Sequence, residues 1–373
     1  MGKYFLSPLA SRSTPNWFQV VVLVIYINTI SVAARRGQNP HITYNSFLLL
    51  LLPKLKVSGL KAYYFTDNGI IRGVDGINFE IAEGESLGIV GESACGKSTL
   101  GAALMRSIQS PGRIVEGNIT LGGDDITKMS SSEFDTKVRW KRIAMVFQGA
   151  MNALDPVYTV ESQLREILIE HEYQGKIDDK IAESLQQVGL DLWIAKRYPH
   201  ELSGGMKQRV VIAMALLLNP DILIADEPTT ALDMVVQSQI ISLLRKLQKE
   251  KGISIILITH DLALVSQITD RIAIMYAGQL VEFSKTKDIY KNPRHPYTKA
   301  LIEAIPRLRT KDKKIHFVKG SPPSLLSPPQ GCRFYDRCIH AMDVCKRNPP
   351  EFGTETGYVR CWLYDDSGAA PQP

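Results

Sequence analysis

The stretch SLGIVGESACGKST, residues 86–99, decides the fold. Ser86 to Val90 is an apolar run short enough for a buried strand, and the glycine-bounded turn after it leads into a helical run from Lys97 to about Ile108. Gly91, Glu92, Ser93, Ala94, Cys95, Gly96, Lys97 and Ser98 fit the phosphate-binding pattern G-x-x-x-x-G-K-[ST]. The chemistry needs that order: a strand delivers the chain, and backbone N–H groups of the loop and of the helix N-terminus then converge on a phosphate. Lys97 is placed to neutralise β- and γ-phosphate charge and Ser98 to ligate Mg²⁺, with Thr99 next on the first helical turn. Cys95, at a variable position, reads as incidental packing with sensitivity to alkylation.

Outward from the loop, strand-length apolar runs recur. KLKVSGL begins at Lys54 and GINFEI at Gly76, while RIAMVF covers 142–147, ILIAD 222–226 and ISIILI 253–258, with helical stretches such as 235–251 between them. Hydrophobicity along the later runs is continuous rather than alternating, which fits strands covered on both faces by helices. Residues 161–172, 178–188 and 206–218 have helical periodicity, so a helical subdomain over about 149–220 interrupts the sheet. ILIADE supplies the second half of a nucleotide site. Asp226 stands at the strand's C-terminal edge, where it can hold Mg²⁺ through water, and Glu227 is positioned to polarise an attacking water.

The expected organisation is a lead over 1–54, a nucleotide-hydrolysing domain over 55–305, a Pro-rich linker over 306–330, a cysteine-rich segment over 331–364 and a disordered tail over 365–373. The lead carries VVVLVIYI at 20–27 and FLLLLL at 47–52, each far short of the about 20 apolar residues a membrane span wants. Phe18 to Ala34 makes at most a marginal span; a start codon placed upstream of a chain beginning near Pro53 accounts better for so patternless a lead. The composition of 373 residues, 45% hydrophobic and 22% charged, excludes collagen-like, coiled-coil and wholly disordered chains. The net charge of +6 mildly invites a nucleic-acid partner but is thinly spread over this length.

At Leu202 the chain reads LSGGMKQR, in which Ser203, Gly204 and Gly205 open another helix by its N–H groups and form a second anion-binding device. With this motif downstream of a phosphate loop, the chain resembles the ATP-binding subunits of ATP-binding cassette (ABC) transporters. The resemblance implies an α/β P-loop NTPase, RecA-like in its core, with an antiparallel β subdomain, a helical subdomain and a small Cys-rich C-terminal extension. It also implies head-to-tail pairing of two subunits, each signature motif capping the nucleotide on the other's phosphate loop. Gln148 resembles the glutamine that contacts Mg²⁺ and the γ-phosphate, and Thr230 to Asp233 the loop that crosses the dimer interface. His260 matches the switch histidine, and Tyr64, flanked by Tyr63 and Phe65, the aromatic that stacks on adenine. Two departures, Ala94 for a usual glycine and TTALD for TSALD, are expected to touch no chemical role.

The runs YPHELSGGMKQRVVIAMALLLNP and AGQLVEFSKTKDIYKNPRHPYTKAL, with the cysteine tail, are similar to the dipeptide and oligopeptide importer branch. The implied partners are a second, paralogous ATPase, two transmembrane permeases and, indirectly, an external solute-binding protein, with the chain peripheral at the cytoplasmic face of the membrane. Relatives in the branch serve nickel or oligosaccharides, which stay as alternatives. A soluble ABC ATPase acting on nucleic acid is the rival of another class, and the coiled coils or tandem cassettes typical of such chains are not visible in the sequence. HPYT, with His295, reads as a packing element and not as a metal site. Cys332, Cys338, Cys345 and Cys361, spaced C-x5-C-x6-C-x15-C, lack the close pair usual for zinc, and their chemistry alone leaves zinc and a [4Fe–4S] cluster open. In a reducing compartment disulfides are disfavoured. The resemblance favours the [4Fe–4S] cluster.

Overall fold

A computed structural model describes residues 54–305 and 320–365. The lead, most of the Pro-rich linker and the tail lie outside the described residues.

Two sheets carry the fold. An antiparallel sheet of order β2-β1-β4-β5 is built from β1 (Leu55–Thr66), β2 (Gly69–Ile81), β4 (Gly112–Leu121) and the short β5 (Asp124–Asp125). The larger sheet contains β3 (Ser86–Val90), β6 (Ile143–Val146), β7 (Ile222–Asp226), β8 (Ser254–Thr259), β9 (Arg271–Tyr276), β10 (Gln279–Lys285), β11 (Phe352–Gly353) and β12 (Tyr358–Val359). Its order is β11-β12-β10-β9-β3-β8-β7-β6, with β6, β7, β8, β3 and β9 running parallel. Every residue of β3, β6, β7 and β8 is buried, the physical counterpart of their unbroken apolar runs.

Nine helices are described: α1 (Lys97–Leu104), α2 (Ser131–Lys137), α3 (Val160–Glu170), α4 (Ile177–Gln187), α5 (Gly204–Leu216), α6 (Met234–Lys251), α7 (Leu262–Ile268), α8 (Thr286–Lys291) and α9 (Pro296–Glu303). Capping explains where several begin. Thr159, Ser203, Asp233 and Asp261 each accept a backbone N–H of the following first turn through a side-chain oxygen. α1 stops at Leu104, about one turn short of the length read from sequence, because Arg106 takes a left-handed φ of 48°. Gly88 in β3 lets α7 press close: a Cβ there would lie 2.3 Å from Val265 Cγ1.

One core lies between the two sheets, where Leu60, Ile77 and Phe79 meet Leu100, Leu104 and Ile256. The other joins α3, α4 and α5 to α6 and the far face of the large sheet, through Leu164, Leu185, Val210 and Leu244. Several strands escape the sequence reading. β4 buries only Ile119 and Leu121, so its period is diluted by exposed residues. β9 and β10 form a hairpin over Ala277 and Gly278, whose φ of 44° and 85° follow the two-residue left-handed turn that suits strand twist. The cysteine-rich segment also adds strands to the large sheet: Tyr358 and Val359 pair with Phe283 and Glu282 of β10.

Candidate functional site

The phosphate loop leaves β3 at its C-terminal end and closes around its own lysine. Lys97 is buried, and its Nζ donates to the Gly91 and Glu92 carbonyls, both at 2.9 Å. Glycine is required at both ends of this cradle. A Cβ on Gly91 would lie 2.1 Å from the Met275 carbonyl oxygen, and one on Gly96, at φ 105°, 1.9 Å from the Gly73 oxygen. Ala94 also takes a left-handed φ, 61°, without being glycine. Ser93, Ala94 and Ser98 face solvent, where an anion can approach. Cys95 is buried, and burial pushes its thiol up, so the expected sensitivity to alkylation is corrected: the nucleophile is both hidden and protonated.

The acidic pair stands beside the loop. Asp226 ends β7, and its Oδ1 is buried without a hydrogen-bond partner. Desolvation pushes its carboxyl up, opposed by the Ser98 hydroxyl. An orphaned carboxylate oxygen next to a serine hydroxyl fits the Mg²⁺ site read from sequence.

Glu227 is the point on which three further residues converge. Gln148 Nε2 donates to Oε2 at 3.0 Å, the Thr230 hydroxyl donates to the same oxygen at 3.0 Å, and His260 Nδ1 lies 3.1 Å from Oε1. Burial works against the charged form, but the contacts of His260 and Thr230 prevail and hold the Glu227 carboxyl below its usual range. Glu227 sits at φ 47°, a left-handed conformation that a bulky residue adopts at a cost of about 1–3 kcal/mol. Thr230 therefore does touch the chemical centre, contrary to the expectation for TTALD. Sequence alone gave no sign of its contact with Glu227.

Other expected residues lie elsewhere. Tyr64 reaches the loop helix, its hydroxyl 3.3 Å from Thr99 Oγ1, whereas the Tyr63 hydroxyl bonds Asp75 at 2.5 Å and Phe65 carries the Arg113 guanidinium on its ring. Ser203 caps α5 through Met206 N at 3.3 Å and, like Gly204, is exposed. Gly205 packs where a Cβ would meet Val236 Cγ1 at 2.7 Å. Asp233 spends its carboxylate on the N–H groups of Val235 and Val236, both at 3.0 Å. The HPYT segment does more than pack. His295 is buried and caps α9 through Tyr297 N, and the Tyr297 hydroxyl accepts the Glu92 N–H at 3.0 Å.

Burial first, and then the neighbouring thiols, push Cys332 up to about 11 and Cys361 up to about 12, so the four sulfurs lie within electrostatic reach of one another. Among the described residues no group of three or more His, Cys, Asp or Glu is disposed to hold a metal ion. Four thiols are donor chemistry that suits a cluster.

Comparison with known families places this geometry. Residues 74–230 match the family described as ABC transporter, and residues 281–345 match the oligopeptide/dipeptide transporter C-terminal region. The oligopeptide transport ATP-binding protein AppD of Bacillus subtilis is 43% identical over 322 residues, spanning 84% of this chain and 98% of that protein. This chain belongs to the ABC transporter ATP-binding proteins. The dipeptide transport ATP-binding protein DppD of Caldanaerobacter subterraneus is 42% identical, spanning 84% of this ABC subunit and 97% of its own length. Among solved structures, the dimeric cassette MJ0796 from a bacterial ABC transporter superposes with a TM-score of 0.56 at 30% identity, over 62% of this chain and 98% of that one. The P-loop α/β fold with its antiparallel sheet is thus that of an ABC ATPase cassette. No helix among the described residues is long and apolar enough to cross a membrane.

Proposed function

We propose that this ABC subunit binds and hydrolyses ATP to drive import of oligopeptides or dipeptides. The observation that carries the hydrolytic half is Glu227, an ionised carboxylate at the end of β7 held by Gln148, Thr230 and His260. Glu227 takes a proton from the attacking water, His260 and Gln148 fix its orientation and face the γ-phosphate, and Lys97 and the loop N–H groups hold the β-phosphate. Tyr64, beside Thr99, stacks on the adenine. Ser98, Asp226 and Gln148 would hold Mg²⁺, which neutralises phosphate charge when bound. Glu227→Gln keeps the polar contacts and removes the base, so ATP binding persists while turnover falls by roughly a hundredfold or more. Normal hydrolysis in that variant overturns the assignment.

The peptide class is supported by relatives named for oligopeptide and dipeptide transport and by the matched C-terminal region. Solute selectivity itself belongs to the permeases and the external binding protein, and mass spectrometry of solute retained by the purified complex tests it. One set of motifs per chain calls for a second ATPase, a paralogue, alongside two permeases at the cytoplasmic face of the membrane. The domain limits read from sequence stand as part of the same proposal. The four-cysteine segment as a [4Fe–4S] carrier rests on donor chemistry and on family resemblance. Iron and sulfide analysis of anaerobically purified protein tests it, and stoichiometric zinc without iron rejects it.

A further inference from the structure

A carboxylate inside an anion-binding loop is an electrostatic fault, and Glu92 is one. The structure shows what answers it. Arg337, one residue before Cys338 in the C-terminal extension, spans 245 residues to grip Glu92 with both nitrogens: Nη1 to Oε2 at 2.9 Å and Nη2 to Oε1 at 3.0 Å. Parallel bonds of this kind match the guanidinium fork to the carboxylate and are among the strongest polar contacts in proteins. The Arg337 side chain is 6% exposed, so the pair is sheltered from solvent screening. The Tyr276 hydroxyl, 3.1 Å from Nη1, adds a further partner for the guanidinium.

The extension holds the other end of the loop as well. Arg333, directly after Cys332, donates to the Ala277 carbonyl and pairs with Asp75. The adjacent Gly278 N–H donates to the Cys95 carbonyl at 2.8 Å, and its own carbonyl accepts the Asp75 N–H at 2.8 Å. Glu92 and Cys95 are the first and last variable positions of the phosphate loop, and each is tied, directly or through one turn, to an arginine of the cysteine-rich segment.

We propose that Arg337 is a positioning residue for ATP binding: it cancels the Glu92 charge and fixes the loop, so the C-terminal extension sets the affinity of a site formed far away in sequence. The inference rests on the reading of residues 91–98 as an ATP site. Without Arg337, Glu92 faces the triphosphate as an unpaired like charge at short range in a partly buried setting, where Coulomb repulsion is strong.

The test measures the Kd for MgATP of the full chain, and kcat and KM of its assembled complex. Arg337→Gln weakens ATP binding and raises KM by roughly tenfold, with kcat changed far less. Adding Glu92→Gln to that variant returns the Kd to within about threefold of wild type, because the repelling charge is gone. Arg337→Lys, which keeps the charge but loses the fork, falls between wild type and Arg337→Gln. Arg360→Gln, which disturbs the same extension at the Pro349 carbonyl, leaves Kd unchanged. An Arg337→Gln variant with wild-type affinity overturns the proposal, as does a double variant no better than the single one, since a merely structural prop is not rescued by removing a carboxylate. Should Arg337→Gln fail to fold, Arg337→Lys carries the test alone: binding weakened by roughly tenfold or more, although the positive charge is kept, overturns the charge argument. A wild-type chain that does not bind ATP overturns the nucleotide reading itself.

Discussion

The phosphate loop and the signature segment are both glycine-containing N-termini of helices, yet they are finished differently. The loop's lysine and its Glu92 have internal partners: Lys97 lies on the carbonyls of Gly91 and Glu92, the Glu92 N–H is taken by Tyr297, and Arg337 grips the Glu92 carboxylate. At the signature, Ser203 and Gly204 lie open to solvent and the Ser203 hydroxyl serves only its own helix. Nearby, after the Asp233 cap, Met234 and Val235 are 85% and 67% exposed, a place where apolar side chains gain by being covered. On the proposed reading, the difference separates a half-site finished within the chain from a half-site displayed outward. A helix N-terminus with no local anion is a device whose ligand comes from outside the chain.

The largest expected effect breaks the two halves apart. Ser203→Arg removes the cap and fills the approach to the N–H groups of α5. Turnover by the assembled complex then falls by roughly a hundredfold, the scale of a lost preorganised anion contact. ATP affinity of the isolated full chain stays within about twofold, since Ser203 makes no contact with its own loop. Equilibrium binding beside steady-state hydrolysis checks both, and a variant that loses both together removes the distinction between the halves.

A smaller effect tests the support beneath the loop. His295 is buried and holds α9, which brings Tyr297 to Glu92, and burial drives its imidazole down to about 3. A histidine with a lowered folded-state value is neutral in the folded chain while the unfolded chain takes up a proton below about pH 6.5. Stability is therefore lost as pH falls from about 6.5 towards 3, at about 1.4 kcal/mol per unit for this group. Glu282, which accepts the His295 and Arg294 N–H groups and is itself pushed up by burial, contributes with the opposite sign. Comparing wild type with His295→Asn, which keeps a capping side chain, isolates the histidine. Urea unfolding at pH 7.5 and 5.5 shows a smaller loss in the variant, and equal losses place the proton elsewhere.

What was legible in the sequence follows from what kind of force fixed it. Four of the five parallel strands were readable because burial on both faces writes an unbroken apolar run, although β9, almost equally buried, escaped; the loop was readable because two glycines and a lysine are sterically and electrically irreplaceable at their positions. Gln148, Glu227 and His260 stand at three strand ends far apart in sequence, and family resemblance joined them before the fold did. Thr230, Tyr297, Arg333 and Arg337 were not legible. Thr230 reaches Glu227 three residues back, while Tyr297, Arg333 and Arg337 act on residues 205, 56 to 258 and 61 to 245 positions away, and isolated contacts of this kind leave no period or composition to read. β4 and the strands of the cysteine segment were missed for a related reason: they join edges that are half exposed, where hydrophobic pattern is thin.

The smallest effect sharpens the comparison at the loop's own backbone. Ala94 is held at φ 61°, where a Cβ costs roughly 1 kcal/mol relative to glycine. Glycine at that position also frees the unfolded chain, which offsets the gain by about 0.4–1 kcal/mol. Ala94→Gly is therefore expected to stabilise the chain slightly, by no more than about half a kcal/mol, with ATP affinity unchanged because the contacts at Glu92 and Cys95 hold the loop on either side. Denaturant midpoints and ATP titrations of the two proteins check it. A variant that binds ATP markedly more weakly shows that the alanine stiffens the cradle, and that the loop's shape comes from local backbone restriction rather than from the arginines and tyrosine packed against it.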